Sequence, residues 1–414
     1  MITHLKREIG FWQACFLGLG SILGTGIFVS IVLAGSIAGV NILLAIVIAA
    51  SIALCNGLSS AQLAGNHPLS GGTYEYGYRY LSPRLGFIAG WLFVIAKSAS
   101  AATACLGLSL YFFSYFQVLE NSFLLPFSLF VLVLFIILVL SGLKRSSWVN
   151  LILVGVTLFS LLFFIFVSFL QTPTPWSASA FLELGKGKIQ SLLEASAFLF
   201  VAYTGYGRIA TLGEEVKNPK KIIPKAIIFT LLLTMVLYFL VGILVYNSEG
   251  QTLLEIAKNR SMNGYVLGAL TLGAMTAMGG VLLNLILGLS RVFLAMGRRG
   301  DMPAIFAKLN SSQTTPIVSV LVTGAVIAAL ICIGDIRLAW SFSAFFVLLY
   351  YAITNLAALR LSKSARLFPR WIAVVGLLSC LFLAFFVPRD VWMIGLGLIL
   401  LGLIWKELTK FAKK

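Results

Sequence analysis

Long apolar runs alternate with short polar connections along the whole chain, and the runs match the roughly 20 residues that a helix needs to cross a bilayer. Twelve of them lie at 11–38, 40–64, 85–115, 123–143, 147–170, 189–213, 225–246, 264–291, 316–334, 338–360, 371–388 and 390–406. The twelfth has a short uncharged core, Val391 to Trp405, and depends on flanking side chains that reach the interface. An eleven-helix arrangement is the alternative. The pattern predicts an all-α polytopic membrane protein.

Two runs are interrupted in the middle. The first holds Gly20-Ser21-Ile22-Leu23-Gly24-Thr25-Gly26-Ile27-Phe28, and the sixth holds Ala202-Tyr203-Thr204-Gly205-Tyr206-Gly207. Unpaired backbone groups in hydrocarbon cost several kcal/mol each, so such a break persists only where it lines a cavity or a binding site. At about 1.5 Å per residue, Gly24 lies roughly 20 Å from the inner end of its run and Gly205 roughly 24 Å from the outer end of its own. Lys97 lies roughly 18 Å into the third run. All three fall near mid-membrane, and paired breaks five runs apart point to a transporter.

Composition agrees: 60% of residues are hydrophobic and 10% charged. Charge adds an orientation, because Lys and Arg collect in cytoplasmic loops. With both termini inside, 22 Lys/Arg face the cytoplasm, 6 face outward (Lys186, Lys188, Lys258, Arg260, Arg337, Arg389) and 2 lie within helices (Lys97, Arg208). The net charge of +17 is thus a topology signal that suits anionic lipid headgroups, and no nucleic acid partner is expected. The expected location is the cell (inner) membrane. Met1 to Glu8 runs straight into a full-length apolar run, so the first helix is expected to act as an uncleaved insertion signal.

Candidate chemistry is sparse. Cys15, Cys55, Cys105, Cys332 and Cys380 sit in apolar runs, and the histidines are His4 and His67, so neither a disulfide, a metal nor a cofactor is expected. Most of the 38 glycines read as close-packing positions, as in Gly35 to Gly39 and Gly86 to Gly90. Gly18 to Gly24 superficially resembles a dinucleotide fingerprint, but the spacing is wrong and no strand precedes it. No phosphate loop and no nucleophile, base or carboxylate pair at membrane depth suggests an enzyme.

The motifs carry a resemblance. Gly24 to Phe28 in the first run, Gly71-Gly72-Thr73-Tyr74-Glu75-Tyr76 after the second and Gly86-Phe87-Ile88-Ala89-Gly90-Trp91 in the third are joined by two later motifs: Gly213-Glu214-Glu215-Val216-Lys217-Asn218-Pro219, and Gly297-Arg298-Arg299-Gly300-Asp301-Met302-Pro303. Together they resemble the amino acid-polyamine-organocation (APC) family of secondary transporters almost end to end. The resemblance implies a five-plus-five inverted repeat of the leucine transporter type with broken helices 1 and 6. Its first repeat would be 1–171, its second 172–363, with two accessory helices and a short cytoplasmic tail in 364–414.

Broken helices present free N–H groups at one half and free carbonyls at the other, which suits a zwitterion. By the resemblance, amides around Gly24, Thr25 and Gly26 would hold an α-carboxylate, and carbonyls of Ile22, Val201 and Thr204 would accept from the α-amine, with Gly205 kept small. Tyr203 and Tyr206 are aromatic walls or gates, or ordinary packing. Where relatives carry an acidic or amide residue this chain has Gly207, followed by Arg208, and no Asp or Glu lies mid-run. Cationic substrates are therefore disfavoured. Lys97 contacts substrate, serves as a titratable coupling group, or pairs with carbonyls structurally. Arg208 helps to close the inner pathway or reaches the interface. Some proton-linked relatives have a lysine where this chain has Thr157. The coupling options are a proton through Lys97, a sodium ion held by helix 1 carbonyls and helix 8 groups such as Asn284, or exchange; sodium is the weaker. Glu75, Arg79, Glu214, Glu215 and Arg291 are inner gate candidates. The expected function is alternating-access transport of a non-cationic amino acid. An exchanger, or a permease-like amino acid sensor, is the alternative. Oligomeric state is not legible.

Overall fold

All twelve apolar runs are helical in a computed structural model of the protein, which describes residues 7, 9–69, 71–117, 121–171, 188–211, 213–246, 251–311 and 314–411. His4 and Lys186 lie outside the described residues. The first run is split. Helix α1 (Phe11–Ile22) stops at Leu23, a π-helix covers Gly26–Ser30, and α2 (Ile31–Ala38) completes the crossing. The second run is α3 (Ile42–Asn66). After a short α4 (Thr73–Tyr80), α5 (Pro83–Phe116) forms the third, started by the Ser82 hydroxyl accepting from the Leu85 N–H, with Pro83 at the first helical position.

The fourth and fifth runs are α6 (Leu124–Leu140) and α7 (Leu143–Gln171). The sixth divides into α8 (Ile189–Tyr203), a 3₁₀ turn at Thr204–Tyr206 and α9 (Gly207–Ala210). Then follow α10 (Pro219–Val245), a short α11 (Leu253–Asn259), α12 (Gly264–Arg299), α13 (Ile317–Ile331), α14 (Ile336–Leu359), α15 (Arg370–Ala384) and α16 (Arg389–Phe411).

The two largest departures from the expected boundaries are in the eighth and seventh runs, and one connection holds an additional helix. The eighth run was to end at 291, but α12 continues to Arg299, because no breaker intervenes and Arg298 and Arg299 complement the carbonyl end of the helix. The seventh starts earlier, at Pro219, because a proline is tolerated in a first turn and the lysines there hide the helix from a hydropathy reading. Loop 65–84 contains α4, an amphipathic turn whose residues Thr73 to Gly77 are buried. Thr73 bonds α14 through its N–H to the Tyr350 hydroxyl (3.2 Å) and through its Oγ1 to Thr354 Oγ1 (2.7 Å).

Packing repeats with a shift of five runs. α5 packs on α14 as α12 packs on α7, and α3 packs on α8 as α10 packs on α1. The pairs α3 with α10, α6 with α13 and α5 with α12 are their own counterparts under that shift. The two broken runs lie inside this arrangement: Ala14, Ala195, Ala197, Phe198 and Tyr203 are fully buried. The outside is the reverse, with Phe159, Phe166 and Leu170 of α7 and Leu378 and Leu400 of α15 and α16 exposed. A surface of that kind is solvated without penalty only by hydrocarbon, so the protein is integral to a membrane.

Candidate functional site

The two breaks meet. In α1 the last regular bond runs from the Leu23 N–H to Leu19 O (2.7 Å). The Gly24 N–H, which a continuous helix would give to Gly20, turns back to Ile22 O (3.0 Å). The chain becomes helical again when the Ile27 and Phe28 amides both donate to Gly24 O (3.2 Å each). Opposite, Gly205 lies on the Ser21 peptide so closely that a Cβ there would stand 2.2 Å from the Ser21 carbonyl oxygen. A Cβ on Gly26 would stand 2.1 Å from the Tyr238 hydroxyl and 2.9 Å from the Ala202 Cβ. Backbone therefore touches backbone at mid-bundle, and only glycine permits it at these two positions.

Hydroxyl groups cover the carbonyls that the break frees. Tyr238 OH lies within donating distance of Ile22 O (2.8 Å) and Ala202 O (3.1 Å), the Thr204 hydroxyl donates to Val201 O (2.7 Å), and Tyr351 OH donates to Thr204 O (3.1 Å). Ile22 O, Val201 O and Thr204 O each accept a backbone N–H as well, from Gly24, Thr204 and Gly207, so a further donor has to displace a hydroxyl. The Tyr203 ring lies 4.8 Å from that of Tyr238 at a tilt of 42°, and the Tyr206 ring 5.3 Å from that of Tyr351 at 45°. The aromatic pair Tyr238 and Tyr351 was not expected from sequence, where a tyrosine inside an apolar run has many uses. Tyr351 also fills the space beside Gly207, where a Cβ would lie 2.7 Å from its hydroxyl. Removing one hydroxyl by Tyr238→Phe is expected to destabilise the protein by about 1–3 kcal/mol, because a buried hydrogen bond shared by two carbonyls is lost; a thermal melt in detergent reads it.

Lys97 and Arg208 are both buried here. Lys97 Nζ donates to Thr204 Oγ1 (3.0 Å), against the carbonyl end of α8, where the helix dipole favours a cation. Arg208 stays inside the bundle and does not reach the interface: it is 7% exposed and gives Nη1 to Thr211 Oγ1 (3.1 Å). Thr157 and Asn284 lie elsewhere, in helix-to-helix bonds. The Thr157 hydroxyl meets that of Thr276 (3.0 Å), and Asn284 Nδ2 donates to Gly280 O (2.9 Å) and to Asn150 Oδ1, whose own amide reaches Phe16 O (3.3 Å). That amide pair joins α1, α7 and α12.

The gate candidates divide. Glu215 and Arg291 form a buried ion pair (3.7 Å, both side chains 3% exposed), and Arg291 Nη1 also donates to Thr314 O (3.2 Å). Glu214 is buried beside Glu215. Two backbone bonds, the Ile9 N–H to Glu215 O (3.0 Å) and the Lys217 N–H to Ile9 O (2.9 Å), fasten the start of α1 to the same loop. Glu75 pairs with Arg299. Arg79 is exposed and makes no ion pair among the described residues. Beyond Arg299 is a knot that sequence did not indicate. Asp301 pairs with Lys406, accepts from Tyr74 OH (2.8 Å) and Tyr78 OH, and receives the Trp405 indole N–H on its carbonyl (3.1 Å). Burial, with the Asp301 carboxylate added, raises both tyrosine hydroxyls above their usual range, so they remain donors. Arg299 lies over the Tyr78 ring at 4.3 Å.

The family model described as amino acid permease matches residues 9–401. An uncharacterized transporter of Mycobacterium tuberculosis, Rv1999c, is 37% identical over 398 residues, covering 93% of this chain and 87% of its own. The branched-chain amino acid permease BcaP of Bacillus subtilis is 29% identical over 353 residues, covering 79% of this chain and 74% of its own. Among solved structures, MhsT in complex with L-phenylalanine superposes with a TM-score of 0.69 at 15% identity, covering 93% of this chain and all (100%) of that one. At that identity the likeness concerns the fold, which is of the leucine transporter type.

Proposed function

Because this chain belongs to the amino acid permease family, whose members are membrane transporters and not enzymes, we propose that the junction of its two breaks is the substrate site. The contact of Gly205 with the Ser21 peptide carries this reading, since a membrane protein has no other reason to bring two irregular backbones together in its interior. The α-carboxylate is held by amides around Gly24, Thr25 and Gly26. The α-amine goes to the carbonyls of Ile22, Val201 and Thr204, displacing the hydroxyls of Tyr238, Thr204 and Tyr351 that cover them. Tyr203 and Tyr206 wall the site.

The shift-of-five packing supports a division into repeats 1–171 and 172–363 followed by accessory helices in 364–414. The buried Glu215–Arg291 pair supports a closed cytoplasmic side. The excess of Lys and Arg in loops of one side, 22 against 6, supports cytoplasmic termini in a cell membrane. Lys97, the ionisable group that touches the break, favours proton coupling over sodium, because Thr157 and Asn284 are engaged in packing bonds.

Uptake of radiolabelled amino acids into proteoliposomes tests the reading. Accumulation driven by an inward proton gradient, with its pH dependence altered by Lys97→Met, is expected. Flux only against internal amino acid would make the protein an exchanger. Binding without flux would make it a sensor, and the absence of both would overturn the site.

A further inference from the structure

Two basic side chains lie inside this bundle, and among the described residues neither forms an ion pair. Lys97 is 6% exposed and bonds the Thr204 hydroxyl. Arg208 is 7% exposed, and its Nε and Nη2 have no hydrogen-bond partner. Arg208 packs toward the helix that carries Lys97. Phe93, one helical turn before Lys97 on α5, and Arg208 Cδ both come to 3.9 Å of the position a Gly288 Cβ would take. Tyr203, fully buried and tilted against Tyr238, also has a hydroxyl without a partner. Among the described residues no carboxylate pairs with Lys97 or Arg208. Glu215, whose charge reaches Arg208, lies 3.7 Å from Arg291, and the two act on Arg208 with opposite sign.

A buried cation is tolerated when something balances it. The carbonyl end of α8 supplies only about half a negative charge, and it is also where a substrate amine would go. A neutral amino acid brings its own pair of charges, so it would leave both cations unbalanced and crowd a second ammonium against Lys97. A substrate with one more carboxylate reverses this. Lys97 can leave Thr204 to the incoming amine and turn to the extra carboxylate, for which the unpaired edge of Arg208 offers two N–H donors in the fork geometry that matches it.

We propose that the transported substrate is an acidic amino acid, its side-chain carboxylate taken by Lys97 with Arg208 and assisted by the Tyr203 hydroxyl. This rests on the transport reading of the same site. The cations then serve as the specificity element, and the absence of acidic groups mid-bundle excludes the lysine and arginine that such a site repels.

The test is competition for uptake by the full-length protein in proteoliposomes. Glutamate and aspartate are compared with glutamine and asparagine, which differ from them only at the side-chain terminus, and 2-oxoglutarate is added as a dicarboxylate without the amine. Glutamate is expected to compete at a concentration on the order of 10- to 100-fold lower than glutamine, the range of one or two charge-assisted hydrogen bonds. Lys97→Met should reduce that ratio to within about threefold, while Lys97→Arg retains most of it. The glutamate-to-glutamine ratio is taken within each variant, so a smaller folded fraction cancels. Uptake of glutamine or leucine with no competition by glutamate would overturn this inference and leave the permease reading intact. Equal competition by 2-oxoglutarate would overturn the amino acid assignment, and no amino acid uptake at all would overturn the transport reading together with it.

Discussion

Gly205→Leu is expected to abolish substrate binding, lowering affinity by at least about 100-fold, and Gly205→Ala to weaken it severely. The cause is steric and local. Any Cβ at this position stands 2.2 Å from the Ser21 carbonyl oxygen and 2.3 Å from its carbon, with the Ile22 side chain at 2.6 Å. Backbone cannot rotate aside as a flexible side chain can, so the two broken runs must separate. Overpacking of a rigid core costs about 1–3 kcal/mol or more, and here the whole displacement falls on the atoms proposed to hold the substrate. Gly26→Leu should act similarly through the Tyr238 hydroxyl and Ala202. Gly155→Ala on α7 is the control, since nothing lies within 4 Å of its Cβ, and it should leave affinity unchanged. Equilibrium binding on detergent-purified protein measures all four; wild-type affinity in Gly205→Leu would place the site elsewhere.

The second large effect is expected at Asp301. Its carboxylate meets Lys406, Tyr74 and Tyr78 in a region where Lys406 is 7% exposed and Asp301 3% exposed. Asp301→Ala leaves a buried ammonium without its counter-charge and two tyrosine hydroxyls without an acceptor, and one broken buried pair costs about 3–5 kcal/mol. The double variant Asp301→Leu with Lys406→Met removes both charges and should melt at a higher temperature than Asp301→Ala alone, because the uncompensated charge, and not the lost bond, is the larger penalty. Thermal unfolding in detergent decides it. If the double variant melts lower than Asp301→Ala, the knot stabilises through its bonds and the charge argument fails.

Much of this architecture was legible in the chain because lipid imposes a simple rule: apolar length is helix, and glycine at its centre is a break. Gly24, Gly26 and Gly205 followed from that rule. The errors fall where the rule stops applying. α12 continues past the charge of Arg291 through buried Val292 to Gly297, because Arg291 is held inside the protein by Glu215 and does not end the helix, and α4 is too short and polar to register. Long-range partners were out of reach for a different reason. Lys406 and Asp301 are 105 positions apart, and no periodicity links them. Glu75 and Arg79 stand four apart on one helix and suggest each other, yet Glu75 pairs with Arg299 of α12. Tyr238 and Tyr351 were hidden among other aromatics until the fold brought their hydroxyls onto the frayed carbonyls.

The pair of backbone bonds between Ile9 and the 215–217 loop has a mechanical meaning. It yokes the inner arm of the first broken run to the inner arm of the sixth, so in an alternating-access cycle the two arms swing as one lever with a single fulcrum at the glycine contact. Spectroscopic labels at Gly10 and Lys217 should hold a constant separation through turnover, while the distance from either label to Arg299 lengthens each time the inner side opens.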